Sequence, residues 1–197
     1  MAWLEPVTLE GPHAKLEPLK HEHHDGLVTA VKDGGLWDLW YTFVPRPEKM
    51  KDEIDRRLGL QAAGSMLPFT VRQPDGTIAG MTTFMNVDAT HKRVEIGSTW
   101  YRKAVQRTPL NTQCKLLLLQ HAFETLNCIA VEFRTHFFNQ QSRAAIARLG
   151  AKQDGILRNH QVGPNGTLRD TVVFSIIAGE WPTVKAHLTY QLTKARE

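Results

Sequence analysis

Hydrophobic and polar positions change period repeatedly along the chain, and each change marks a predicted element. Val7 to Leu19 alternates enough to predict a strand with a Gly-Pro irregularity, or two short strands. His21 to Lys32 predicts a short helix stopped by Asp33-Gly34-Gly35. Glu48 to Ala63 predicts an amphipathic helix with Ile54, Leu58 and Leu60 to Ala62 on its apolar side. Leu67 to Arg72 and Thr77 to Met85 flank Gln73-Pro74-Asp75-Gly76, a hairpin turn, and Val94 to Tyr101 completes an antiparallel meander. Asn111 and Thr112 are good helix-start residues, and Leu116, Leu117, Leu119, Gln120 and Phe123 keep helical spacing toward Leu126. Ile129 to His136 alternates as a strand, and a strand–helix–strand order makes it parallel to Val94–Tyr101. Asn139 to Leu149 predicts a helix with Asn139 as N-cap and Gly150 as stop. Gly155 to Val162 and Thr167 to Ile177 flank the turn Gly163-Pro164-Asn165-Gly166, and Glu180 to Leu192 closes the chain as a helix with Pro182 in its first turn. The order predicts one α+β domain over residues 1–197, built on a mixed sheet.

Composition narrows the function. Hydrophobic residues make up 42% and charged residues 22%, ordinary globular usage that argues against disorder. The net charge of +4 is small, and no Lys/Arg run exceeds two residues, so a local anionic ligand suits the chain better than a nucleic acid. Cys114 falls on a predicted helix and Cys128 at the start of an apolar strand, which makes both core thiols rather than a disulfide or metal pair. His21, His23 and His24 lack the spacing that puts two ligands on one helical face, so they read as a solvated helix start and no metal is implied. The beginning of the sequence has no signal-peptide pattern, and Leu116 to Leu119 is too short an apolar run to span a bilayer. A soluble, cytoplasmic protein is expected.

The stretch from Val94 to Glu124 carries the first chemical hint. A strand there leads through a loop with Arg102, Lys103 and Arg107 into a helix, whose N-terminal N–H groups and positive dipole end can hold an anion such as pyrophosphate. An ordinary β–loop–α connection with a solvated basic loop has the same pattern. Leu36 to Val44 concentrates Trp37, Trp40 and Tyr41, either core packing or the aromatic wall of a substrate cleft. Arg158 and His160 precede the last hairpin turn and lie either toward a cleft or on an exposed edge.

Taken in order, Glu95-Ile96-Gly97, Gln106-Arg107-Thr108 with Asn111-Thr112, Asn139…Ser142-Arg143…Ile146…Leu149-Gly150-Ala151 and Arg169-Asp170-Thr171-Val172 resemble the GNAT superfamily of acyl-CoA-dependent N-acyltransferases, in its RimJ/RimL-like branch. The resemblance spans about Leu9 to Ile177. It implies a six- or seven-stranded mixed sheet in which Val94–Tyr101 and Ile129–His136 splay apart to receive acetyl-CoA. The resemblance places Ser98, Thr99 and Trp100 on the pantetheine and thioester. Gln106, Arg107, Thr108, Leu110, Asn111 and Thr112 fall on the pyrophosphate, and Asn139 and Arg143 are further cofactor contacts. Glu95 stands where family members carry a general base. Ser142 is the candidate proton donor to the CoA thiolate, because Ile146 occupies the position of the usual Tyr. Trp37, Trp40 and His160 are candidate contacts to the acceptor.

The pyrophosphate loop departs from the family pattern, with Pro109 and Asn111 where glycines are expected. Pro109 removes one N–H donor. The resemblance implies acetyl transfer to a primary amine of a small molecule or a peptide N-terminus by direct transfer in a ternary complex. It implies no metal, nucleic-acid or membrane partner, and a monomer or homodimer. The alternative is a non-catalytic CoA-binding or interaction module with a degenerate loop.

Overall fold

The computed structural model describes residues 3–163 and 165–194, so Pro164 of the second hairpin turn lies outside the described residues. The strands are β1 (Leu9–Gly11), β2 (Ala14–Pro18), β3 (Met66–Arg72), β4 (Ile78–Asp88), β5 (Arg93–Tyr101), β6 (Ala130–His136), β7 (Lys152–Val162) and β8 (Leu168–Ile177). The helices are α1 (His24–Lys32), α2 (Met50–Ala62), α3 (Leu110–Gln120), α4 (Gln140–Ala147) and α5 (Trp181–Thr193). All strands join one 8-stranded sheet in the order β1-β2-β3-β4-β5-β6-β8-β7. The count exceeds the expected six or seven because the irregularity at Gly11-Pro12 folds as a hairpin, and both of its short strands join the sheet edge.

Pairing follows the turn chemistry. β3, β4 and β5 form the antiparallel meander, with Gly76 at φ 85° in the turn between the first two. β5 and β6 form the parallel pair that the intervening helix requires. The apolar pattern of β3 is continuous because both faces of a central strand are covered. β7, at the sheet edge, is largely exposed along its length.

Two apolar clusters hold the sheet, one on each face. Leu16, Phe69, Phe84, Val131, Phe133 and Phe174 pack with Leu118 of α3 and Leu188 of α5. On the other face Leu27 and Val31 of α1 and Met50 and Ile54 of α2 pack against Met81 and Trp100. Cys114 and Cys128 are buried free thiols, as expected. Three local readings differ. Residues His121–Thr125 continue α3 as a widened π-helical turn rather than a regular helix to Leu126. The cap of α3 is Pro109, not Asn111, because a proline φ of −60° already fits a first helical turn. His23 is buried rather than solvated: its Nδ1 lies 2.8 Å from Thr70 Oγ1 and its Nε2 3.2 Å from a Glu17 carboxylate oxygen. Among the described residues no helix is long and apolar enough to cross a membrane, and no cluster of His, Cys, Asp or Glu could hold a metal ion.

Candidate active site

The site begins where the sheet stops being a sheet. β5 and β6 pair only at Arg93↔Ala130, Val94↔Val131 and Glu95↔Glu132, although β5 continues to Tyr101 and β6 to His136. Beyond Glu95 the two strands part, leaving a wedge lined by backbone that no strand pairs.

β5 is bent at the same place. Its register with β4 jumps from Thr83↔Gly97 to Met81↔Trp100, so Ser98 and Thr99 together stand against Thr82. Ser98 adopts a left-handed φ of 48°, a conformation that costs on the order of 1–3 kcal/mol in a non-glycine residue unless its surroundings hold it. Side chains on both faces hold it. On the α2 face, Arg57 donates from one terminal nitrogen to the Ser98 carbonyl at 3.1 Å and from the other to Thr83 Oγ1 at 2.7 Å. On the α3 face, Lys115 donates to Thr99 Oγ1 at 3.0 Å, and Thr99 and Thr82 share a hydroxyl hydrogen bond of 2.8 Å. Trp100 turns its indole into the core under α1, so only its backbone borders the wedge.

Lys115 is 6% exposed and has no carboxylate partner among the described residues. Burial pulls its ammonium down to about 8, against an unfolded value of roughly 10.5. Between those values the unfolded chain binds more protons than the folded one, so stability rises with pH across this range. Cys114 and Cys128, pushed up by burial to about 12 and about 11, act oppositely above roughly pH 9. Lys115→Met keeps both thiols. Urea unfolding at several pH values is therefore expected to show a rise from about pH 8 to about pH 9 in the native protein that is absent from the variant. Equal slopes would mean that burial does not lower the Lys115 pKa below its unfolded value.

Glu95, on the last rung of the parallel ladder, is 5% exposed. Asn86 Nδ2 donates to its Oε2 at 2.7 Å, and Arg134 Nε lies 3.6 Å from the same oxygen. Burial dominates and raises its pKa above the ordinary carboxylate range, with Asn86 and Arg134 opposing. Its second oxygen lies over Gly97, where a Cβ would come within 2.9 Å of it. A carboxyl so placed can take a proton from a nucleophile near neutral pH.

The loop before α3 leaves N–H groups open at the helix start. Thr108 Oγ1 donates to the Val105 carbonyl at 2.7 Å and accepts from the Leu110 N–H at 3.3 Å, while the Pro109 carbonyl accepts from Gln113 N–H at 2.9 Å. The N–H groups of Asn111 and Thr112 have no acceptor among the described residues. Arg107 is exposed at φ 62°, and Gln106 N–H donates to the Lys103 carbonyl. Of the basic residues, Arg102 is committed elsewhere: its Nε donates to Asp33 Oδ2 at 3.0 Å, and Ala104 N–H donates to the same oxygen at 3.1 Å. Those two bonds, the backbone one first, hold the Asp33 carboxyl below its usual range. The Asp33 carbonyl also accepts from Lys103 N–H at 2.9 Å.

α4 follows β6 and packs against β6 and β8. Asn139 caps it by accepting the Ser142 N–H at 3.0 Å, as its position in the sequence predicts. The Ser142 hydroxyl takes no part in the cap. Arg143 donates to the Phe137 carbonyl at 3.2 Å and lies 4.9 Å over the Phe137 ring. Ile146 is core.

The aromatic residues expected at the acceptor separate in the structure. Trp37 packs against the α1–α2 core, whereas Trp40 is 51% exposed. Trp40 meets His136 edge-on at 5.0 Å, with Tyr41 and Phe138 beside it. His160 lies on the edge strand, its Nδ1 3.1 Å from Thr171 Oγ1, and Arg158 pairs with Asp170. Two residues here were given no site role by the sequence reading, although Arg169 belongs to a stretch that carries the resemblance. His136 is buried, accepts the Phe138 N–H on Nδ1 at 3.1 Å, and has its pKa lowered by burial and by Arg169. Arg169 donates from Nε to Thr171 Oγ1 and lies 5.7 Å over the Phe43 ring, close enough for its charge and that of Glu95 to act on each other. Neither carries a local signature, since each is defined by what the β6–β8 register brings beside it.

The model of the GNAT acetyltransferase domain matches residues 14–152. A Bacillus subtilis (strain 168) protein provisionally named ribosomal N-acetyltransferase YdaF is 31% identical over 107 residues, which cover 54% of this chain and 57% of that protein. The chain therefore aligns with little more than half the length of that curated relative. A crystal structure provisionally assigned as an acetyltransferase is 31% identical, with a TM-score of 0.86 over 98% of this chain and 97% of the other. A GCN5-related N-acetyltransferase from Brucella melitensis is 28% identical, with a TM-score of 0.85 over 96% of this chain and 87% of that one.

Proposed function

Because the chain belongs to the GNAT acetyltransferase family and resembles its RimJ/RimL-like branch, we propose that it transfers an acetyl group from acetyl-CoA to a primary amine, on a small molecule or a peptide N-terminus, directly within a ternary complex. The observation that carries this reading is the parting of β5 and β6 immediately beyond Glu95, a buried carboxyl whose pKa burial raises. The bulge at Ser98-Thr99 borders the acetyl group, and the open N–H groups of Asn111 and Thr112, with Gln106, Arg107, Thr108 and Leu110 around them, take the pyrophosphate.

In the reaction the amine nitrogen bonds to the acetyl carbon, the carbon–sulfur bond breaks, and two protons are managed. Glu95 receives the one the amine loses, directly or through water. Ser142 gives one to the departing thiolate and regains it from solvent, a role supported by a hydroxyl that Asn139 leaves out of the helix cap. A bulge N–H stabilises the negative charge that develops on the acetyl oxygen, a type of contact whose removal costs about 10²–10³ in rate. Trp40 with His136 and Phe138 forms the acceptor wall, with Trp37 behind it and His160 at its margin. The ribosomal name of the B. subtilis relative favours a peptide terminus as acceptor.

The test is thiol release from acetyl-CoA against a panel of peptides and small amines, alongside calorimetry with acetyl-CoA. Turnover with any acceptor supports the assignment. Binding without turnover favours a CoA-binding module instead, and absence of binding overturns both. The same calorimetry checks the loop: Pro109→Gly restores one N–H donor and is expected to tighten CoA binding about tenfold or more, since a hydrogen bond to a charged group contributes roughly 1.5–3 kcal/mol. An unchanged affinity would place position 109 away from the phosphates.

A further inference from the structure

Arg57 is 1% exposed, yet nothing in the proposed chemistry uses it. It reaches from α2 through the sheet face, with Nε donating to Glu53 Oε1 at 2.7 Å and its terminal nitrogens to Thr83 Oγ1 at 2.7 Å and the Ser98 carbonyl at 3.1 Å. Its one carboxylate partner among the described residues is shared, because Arg56 also donates to both oxygens of Glu53 at 2.7 and 2.9 Å. Two guanidiniums against one carboxylate leave a net positive charge under the bulge.

The carbonyl that Arg57 grips belongs to the same peptide group as the Thr99 N–H. A charge-assisted hydrogen bond to a peptide oxygen polarises the whole amide and makes its N–H a stronger donor. The grip also fixes the left-handed turn at Ser98, and with Lys115 holding the Thr99 hydroxyl from the opposite face, that peptide is pinned from both sides.

We propose that Arg57 is a positioning residue that orients and polarises the Ser98–Thr99 peptide as the donor to the acetyl oxygen. The inference rests on the acetyl-transfer reading for its function but not for its geometry. Arg57→Lys keeps a charge but cannot reach Glu53, Thr83 and Ser98 together. Thr83→Val keeps Arg57 and deletes the hydroxyl that aligns it, a gentler change that guards against loss of the fold.

Two readouts separate positioning from simple support. In the ligand-free protein the Thr99 amide proton resonance is expected to move upfield in both variants, most in Arg57→Lys, while amides of β7 stay in place. In turnover, Arg57→Lys is expected to lower kcat about 10–100-fold, less than outright loss of an oxyanion donor, with KM for acetyl-CoA within about twofold. An unmoved Thr99 resonance in either folded variant overturns the proposal, as does a kcat in Arg57→Lys within about twofold of the native protein. A native protein without turnover overturns the reaction assignment alone, and the resonance then decides whether Arg57 holds the bulge.

Discussion

Glu95→Gln is expected to lower kcat by about 10²–10⁴ while leaving acetyl-CoA affinity nearly unchanged. The substitution keeps the shape of the side chain and removes only its ability to hold a proton. Asn86 donates to Oε2 in the native site, and a glutamine can present its amide oxygen to the same N–H, so the fold has no reason to respond. Turnover should also report the pKa. The base works ionised, and burial raises the Glu95 pKa, so the native rate climbs with pH through a value above the ordinary carboxylate range. That acid limb should vanish in Glu95→Gln. Native turnover in the variant, or an acid limb that survives, would move the base to another group.

Gly97→Ala should have the next largest effect, about 10²-fold in kcat, through displacement rather than deletion. A methyl at this position would stand 2.7 Å from Met85 Sδ and 2.9 Å from Glu95 Oε1, both at or near the ends of flexible side chains. The backbone can therefore stay in place while the carboxyl is pushed from its mark, and misplacement by about 1 Å costs a reaction this much. The decisive measurement is the double mutant. If Gly97 matters because it makes room for Glu95, adding Gly97→Ala to Glu95→Gln should cost little more, a strong departure from additivity. Additive losses would mean that the methyl acts on the bulge or on substrate instead.

Local chemistry was legible wherever a short segment determines its own conformation. Asn139 caps α4, Gly150 ends the following turn at φ 97°, and Gly76 and Gly166 take the positive φ their hairpins need. The parallel pairing of β5 with β6 followed from chain order alone. Features settled by distant partners were not legible. His23 has the surroundings of a solvated helix start in sequence, yet Thr70 and Glu17 approach it across the sheet. Arg57 and Lys115 occupy unremarkable helical positions, and only the strands beneath them reveal that they clamp one bulge from opposite faces. In sequence Pro109 stands out for the donor it lacks, whereas its fixed φ also makes it the residue that starts α3. Glu95, Ser98 and Asn111 could be named through the family resemblance, but the burial of the first, the left-handed turn at the second and the open N–H of the third come from the tertiary fold.

Asp33 ties two distant parts of the wedge into one mechanical piece. Its side chain and carbonyl anchor Arg102, Lys103 and Ala104 at the root of the loop leading to α3. The next residue, Gly34 at φ 117°, passes so close to Lys103 that a Cβ there would lie 3.0 Å from that side chain. The run that carries Trp37 and Trp40 leaves from this same knot. The loop and the aromatic run are therefore linked through one residue, and under the proposed two-substrate reaction, settling one of them is expected to restrict the freedom of the other, an ordered rather than random entry of ligands.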